Sequence, residues 1–452
     1  MERNLFNRTA FAVAVVLLGF ATIAYGAVHQ AVLAASYLLI ALLVVLWSID
    51  CYKQGLLRYS THLLQVPLFF IAVYGFIQLI PFGAVEMETG IGEAPRTISM
   101  EPFATLLSST HFAALGLFFA LLLTLVDSAR RTRTLVFLLA GFGFVYAFFS
   151  ILQAVLSPEK IYGIYGRPGL SVFGSFVNRN HFAAWMEMAI ALPIGLLFSG
   201  AVSKDKRLLF ITATVLMGAA IVVSGSRGGL VALIAEILVL ALITVGAERK
   251  SLGLKVALAV GLIAAVVGGA FFIGGETSLT RIAETQSATA TKQDRSQIWS
   301  VSVRMIQYGM PFGVGLGAFG TAYTQFDESG GLERVEQAHN DHLQVLTDAG
   351  LPGAAIGIAF LIIVVRSGRR ALSSEDQFLR AVGAGALGGI AAVLIHSAFD
   401  FVLHTTAVAL LFLFLLALLV AAGTRFSDQA GSDGAMVRRR SERPRAEVVS
   451  IP

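Results

Sequence analysis

Residues 10–27, AFAVAVVLLGFATIAYGA, carry no charge over their whole length. A helix needs about 20 apolar residues to cross a bilayer, so this run predicts a first membrane span. No small-residue cleavage site of the signal-peptide kind marks it, and many similar runs follow. Apolar stretches recur near 31–48, 64–81, 111–126, 135–156, 181–200, 208–223, 228–246, 255–273, 351–366, 380–398 and 405–424. Only 13% of the 452 residues are charged, where soluble domains carry about 25%. The expected fold is therefore all-α: a polytopic membrane protein of about 12 transmembrane helices, embedded in a lipid bilayer, with a small helical extracytoplasmic cap.

The basic residues set the expected orientation. With the N-terminus inside, 23 of the 33 lysines and arginines fall on the inner side, among them Lys53, Arg58, Arg130, Arg131, Arg133, Lys204, Lys206, Arg207, Arg249, Lys250, Lys255, Arg366, Arg369, Arg370 and Arg380. That bias predicts both termini in the cytoplasm. The net charge of +5 then reflects topology and implies no nucleic-acid partner. The single cysteine, Cys51, excludes an intrachain disulfide framework and a Cys-cluster metal site.

The chain divides into N-terminal spans over 1–204, a central region over 205–365, C-terminal spans over 366–424, and a polar, Arg-rich tail over 425–452. The tail's composition predicts disorder close to lipid headgroups. Within the central region, 274–350 is the longest polar interval and holds two helical patterns. One starts after a plausible cap at Asp294 and stops at Gly309 with Pro311 beyond; the other runs from about Arg334 to Ala349 and stops at Gly350-Leu-Pro352.

Outward-facing polar residues carry the candidate chemistry. His339, in Glu336-Gln-Ala-His-Asn-Asp-His342, is the candidate base, because imidazole titrates near neutral pH. Asn340 is placed to orient a substrate, and His342 follows one turn on. Arg227, in Ser224-Gly-Ser-Arg-Gly-Gly229, stands at the outer start of a span, among small residues that let an anion approach backbone amides. Arg179 lies in an Asn178-Arg-Asn-His181 cluster suited to phosphate or sugar oxygens. Arg295 and Trp299 are i,i+4 neighbours, pairing a guanidinium with an indole fit to stack a sugar ring. His396 and Asp400 share the same spacing and are expected to satisfy one another while supporting the site. The bland alternatives are snorkelling arginines, helix caps and solvated histidines. His339, Asp341 and His342 lack the His-x3-His spacing of a zinc-binding helix face, so no metal is expected. Gly315-Leu-Gly-Ala-Phe-Gly320 matches G-x-G-x-x-G, but without a preceding strand it reads as a flexible hinge.

Arg295-x3-Trp299, Pro311-Phe-Gly-Val-Gly-Leu-Gly317, Ala338-His339-Asn340-x2-Leu343, Ser226-Arg227-Gly228 and His396-Ser-x2-Asp400-Phe401 together resemble the O-antigen ligase/polymerase domain, over roughly 205–365. The resemblance implies a bacterial inner-membrane enzyme using an undecaprenyl-diphosphate-linked glycan donor at the periplasmic face. It implies inverting, metal-independent transfer with no cofactor. His339 would activate the acceptor hydroxyl, while Arg227 and Arg295, and by extension Arg179, would hold the diphosphate. The acceptor would be a lipid A–core sugar for a ligase, a second lipid-linked repeat for a polymerase, or a protein hydroxyl in a related branch; ligase-type transfer is preferred.

A lipid-linked sugar transporter also fits a many-span layout with arginines. Transporters, however, often show inverted repeats and charges near the midplane. Here no repeat is visible and the polar groups gather at the outer face. A receptor or scaffold would need no base placed opposite arginines.

Overall fold

The computed structural model describes residues 4–86, 93–166, 171–245, 295–328, 334–424 and 435–439, with isolated positions at 253, 260, 261 and 264. The described residues are mostly helical: α1 Leu5–Ile23, α2 Gln30–Gln54, α3 Gln65–Ile77, α4 Pro102–Leu125, α5 Ala129–Leu156, α6 Arg179–Phe198, α7 Lys204–Val223, α8 Arg227–Val245, α9 Arg295–Gly309, α10 Phe319–Thr324, α11 Asp341–Leu372, α12 Gln377–His396 and α13 Thr406–Ala422. Among the described residues, nine helices are long and apolar enough to cross a membrane, and the shorter α3 and α13 are also apolar. Eleven of the twelve expected spans thus fall on helices; the ninth, 255–273, lies outside the described residues but for isolated positions, as does the expected cap Asp294.

The bundle is organised around α6 and α12. α6 is buried on nearly every side, as expected of a helix that is apolar all round. α12 reaches it through glycines: a Cβ on Gly195 of α6 would lie 2.6 Å from the Cα of Gly385 on α12. Without side chains at the crossing, the two backbones meet directly, the usual way helices associate where lipid removes the hydrophobic drive. α8 and α13 pack against the same pair. Strands are few among the described residues. Ala84–Glu86 pairs with Glu93–Pro95, and Ala435–Arg439 of the tail pairs antiparallel with Leu56–Ser60.

Two local expectations change. α9 ends at Gly309 as expected, but the second helix of the polar interval begins at Asp341, not near Arg334. Asn340 caps it, its side-chain oxygen accepting from the amides of His342 and Leu343, both at 3.0 Å. His339 therefore precedes the helix, with φ +49°, in the left-handed region. Gly350 does break the helix, at φ +57°, but the chain re-forms a helix at once and runs on to Leu372 as a membrane span.

The glycine-rich stretch is not a flexible hinge. The amides of Val314 and Gly315 donate to the carbonyls of Thr347 and Asp348, and Gly317 N–H donates to Asp348 Oδ2 at 3.0 Å. Gln78 ties it further, accepting from Leu316 N–H and donating to the carbonyls of Phe312 and Asp348. The glycines are there because Gly313, Gly315 and Gly317 all have positive φ and lie against neighbouring backbone or serines.

Candidate functional site

The segment carrying His339 is held rigidly from both sides. Trp299 on α9 donates its indole N–H to the carbonyl of Ala338 at 3.0 Å, and Ala338 N–H donates to Gln344 Oε1 at 2.7 Å. Asp341 N–H then donates to the carbonyl of Ser397 at 2.8 Å. The Asp341 carboxylate receives Ser397 Oγ at 2.8 Å, Leu403 N–H at 3.2 Å and His404 Nδ1 at 2.8 Å. Residues 338–341 are thereby bolted to the turn 397–404 that follows α12. Trp299 holds this backbone through its N–H, a different use of the indole from a free stacking face.

Across that seam, His339 Nδ1 lies 2.9 Å from Asp400 Oδ1. Asp400 is almost wholly buried and is the hub of the site. It accepts from the side-chain Nδ2–H of Asn180 at the start of α6 and from Phe401 N–H at 2.9 Å, and Arg295 Nη2 lies 3.7 Å away. Burial opposes ionisation of this carboxyl. The hydrogen bond and charge of His339, with His181 and Asn180, outweigh it and hold the carboxyl well below the usual carboxylate range. An ionised Asp400 can only accept, so His339 carries a proton on Nδ1, and Nε2 is the ring nitrogen left for other partners. The His339 side chain is 34% exposed, enough for a hydroxyl to reach it. Phe401 packs edge-on to the ring, with centroids 4.9 Å apart. A similar pair lies behind it: burial pulls the His404 imidazole down, but its bond to Asp341 prevails and its pKa is raised.

The arginines surround this hub. Arg179 is the first residue of α6, next to the Asp400 ligand Asn180, and its Nη1 lies 3.3 Å from where a Cβ on Gly225 would be. Gly225, at φ +69°, begins the turn into Arg227, the exposed first residue of α8. The structure thus brings Arg179 to the Arg227 turn, and Arg295 to the Asp400 carboxylate that His339 bonds. The starts of two long helices, each favouring negative charge, open beside these cations.

One expectation about partners is corrected. His396 does not pair with Asp400. α12 ends at His396, so Asp400 lies in the turn beyond it, and the i,i+4 relation no longer sets the side chains on one face. His396 pairs instead with Glu187 of α6, at 3.1 Å. Asn340 uses its side-chain oxygen as a helix cap. His342, on the exposed side of α11, bonds the carbonyl of Leu394 at 3.0 Å, satisfying one of the free carbonyls at the end of α12. Sequence reasoning missed Glu187, Glu236 and His404. The signal for the two acids was present, since an ionisable residue inside an apolar span costs about 2.5–3.5 kcal/mol at a helix centre and is seldom idle.

Residues 212–358 match the family model described as O-Antigen ligase. No curated protein matches the chain. The matched segment contains Arg227, Arg295, Trp299, His339, Asn340 and His342. Asp400, Arg179 and Glu187 lie outside it and join the site through the fold. The match and the apolar helices support a multi-pass membrane protein with an enzyme role in ligase- or polymerase-type glycosyl transfer.

Proposed function

From the O-antigen ligase domain at 212–358, we propose that the protein transfers a glycan from an undecaprenyl-diphosphate donor to an acceptor hydroxyl at the periplasmic face of the bacterial inner membrane. The observation that carries this reading is the His339–Asp400 pair with Arg295 on the same carboxylate. His339 Nε2 takes the proton of the acceptor hydroxyl as that oxygen bonds to the anomeric carbon. The bond from that carbon to the diphosphate oxygen breaks in the same displacement, inverting the configuration. Negative charge grows on the departing diphosphate, where Arg227, Arg295 and Arg179 supply donors and positive charge without a metal. Asp400 keeps the imidazole in the right tautomer and stabilises the imidazolium that forms. The bias of basic residues toward the opposite side of the bundle supports a periplasmic site and cytoplasmic termini.

The acceptor we assign is a lipid A–core sugar, as for a ligase; a polymerase would share the donor chemistry. The decisive experiment pairs His339→Ala with glycan profiling. The variant is expected to insert normally and to abolish transfer while donor accumulates, and wild-type protein is expected to turn over in EDTA. Strict metal dependence would sink the mechanism. In a deletion strain, polymer left unattached to lipid A–core points to ligase, whereas single-repeat products point to polymerase.

A further inference from the structure

The transfer chemistry leaves one buried ionisable pair without a role. Glu187 and His396 are both fully buried, and His396 Nδ1 lies 3.2 and 3.1 Å from the two oxygens of Glu187. The other ring nitrogen, Nε2, has no hydrogen-bond partner among the described residues and faces the first turn of α8: a Cβ on Gly228 would lie 2.7 Å from it. Gly228 follows Arg227 directly. Further along α8, Glu236 is also fully buried, with neither oxygen hydrogen-bonded among the described residues. An unpaired buried carboxylate is too costly to keep ionised, so Glu236 is a neutral acid, whereas Glu187 has His396 as a partner for a charge.

We propose that the Glu187–His396 pair is a positioning device for the anion site at the start of α8. Glu187 holds His396 as an imidazolium, whose positive edge lies against Gly228 and adds to the helix dipole beside Arg227. The order of charges fixes the sign. The carboxylate is on the α6 side and the cation on the α8 side, so the positive end of a neutral pair faces the helix N-terminus. Gly228 is required because the ring occupies the space of a side chain. The groups within electrostatic reach are Glu187 and His181 from α6, Arg227 and Glu236 from α8, Asp341 from α11, and Asp400 beyond α12. The inference rests on the reading of Arg227 as a donor-diphosphate residue.

The test uses the full-length protein in detergent and a farnesyl-diphospho-sugar probe, whose phosphodiesters do not titrate near neutral pH. Binding is measured in an H339Q background, which removes the other imidazole facing the donor. Glu187→Gln keeps shape and an acceptor for Nδ1–H but removes the charge that holds His396 protonated. The expected result is a probe Kd raised about tenfold throughout pH 6 to 8, because a fully buried imidazole without its carboxylate stays neutral there. With His339 intact, E187Q is expected to raise donor KM more than it lowers kcat. Affinity with Glu187 present is expected to be flat between about pH 6 and 8. A fall centred near the ordinary imidazole pKa overturns the proposal without any change at Glu187, as does a folded E187Q that binds normally. R227A separates the two readings. If R227A weakens binding and E187Q does not, only the role of the pair is lost. If R227A binds as tightly as Arg227, the anion site and the pair's role fall together.

Discussion

His339 Nδ1 and Asp400 Oδ1 lie 2.9 Å apart across 61 residues of sequence. They meet because the start of α11 and the turn after α12 are tied together through Asp341, Ser397 and Leu403. The pair is therefore a product of the seam, and changes to it should affect chemistry before folding.

Asp400→Asn retains shape while removing the charge that holds the proton on Nδ1. Transfer is expected to fall by about two to four orders of magnitude, with donor binding nearly unchanged. Single-turnover rates on purified protein check this; a rate within tenfold of wild type would remove Asp400 from the mechanism.

His342→Ala loses only the bond to the Leu394 carbonyl at the end of α12. Stability is expected to drop by about 1 kcal/mol, while transfer stays within about twofold. Loss of activity in a stably folded H342A protein would place this histidine in the reaction instead.

His404 and Asp400 give opposite pH edges to stability. The raised imidazole of His404 stabilises fully below its unfolded value of about 6.5, and the contribution is lost as pH rises through the higher folded value. The depressed Asp400 carboxyl stabilises above about 3.9 and loses its contribution as pH falls through the lower folded value. With the His404 side chain 37% exposed, its effect is small. Melting temperatures of wild type and H404Q across the alkaline range are expected to converge as pH rises above neutrality; parallel curves would contradict the His404–Asp341 pairing.

Gly350→Ala puts a Cβ 2.2 Å from the Pro311 carbonyl oxygen at a backbone φ of +57°. A loss of about 2 kcal/mol or more is expected, since steric strain and left-handed strain add. Thermal unfolding and inserted yield measure it. An unchanged melting temperature would mean that the glycine-rich loop is not clamped at the α11 break.

The membrane bundle was legible from local features. A run of apolar residues long enough to span a bilayer is a helix wherever it sits, because lipid offers its backbone no other partner. The same holds for the Gly309 stop and the cluster around His339, which depend on residues close in sequence. The pairings were not legible. Spacing predicts contact only while a helix continues, and α12 ends at His396, which frees Asp400 to reach His339 and leaves His396 to Glu187. Asn340, Trp299 and His342 were visible as polar residues, yet their hydrogen bonds go to a helix start, a backbone carbonyl and a helix end. Local sequence is enough for the helical membrane fold and for the residue types gathered around His339, since both depend on near neighbours along the chain. Which carboxylate meets which histidine was decided only by tertiary structure, because those contacts depend on where helices stop and which helices cross.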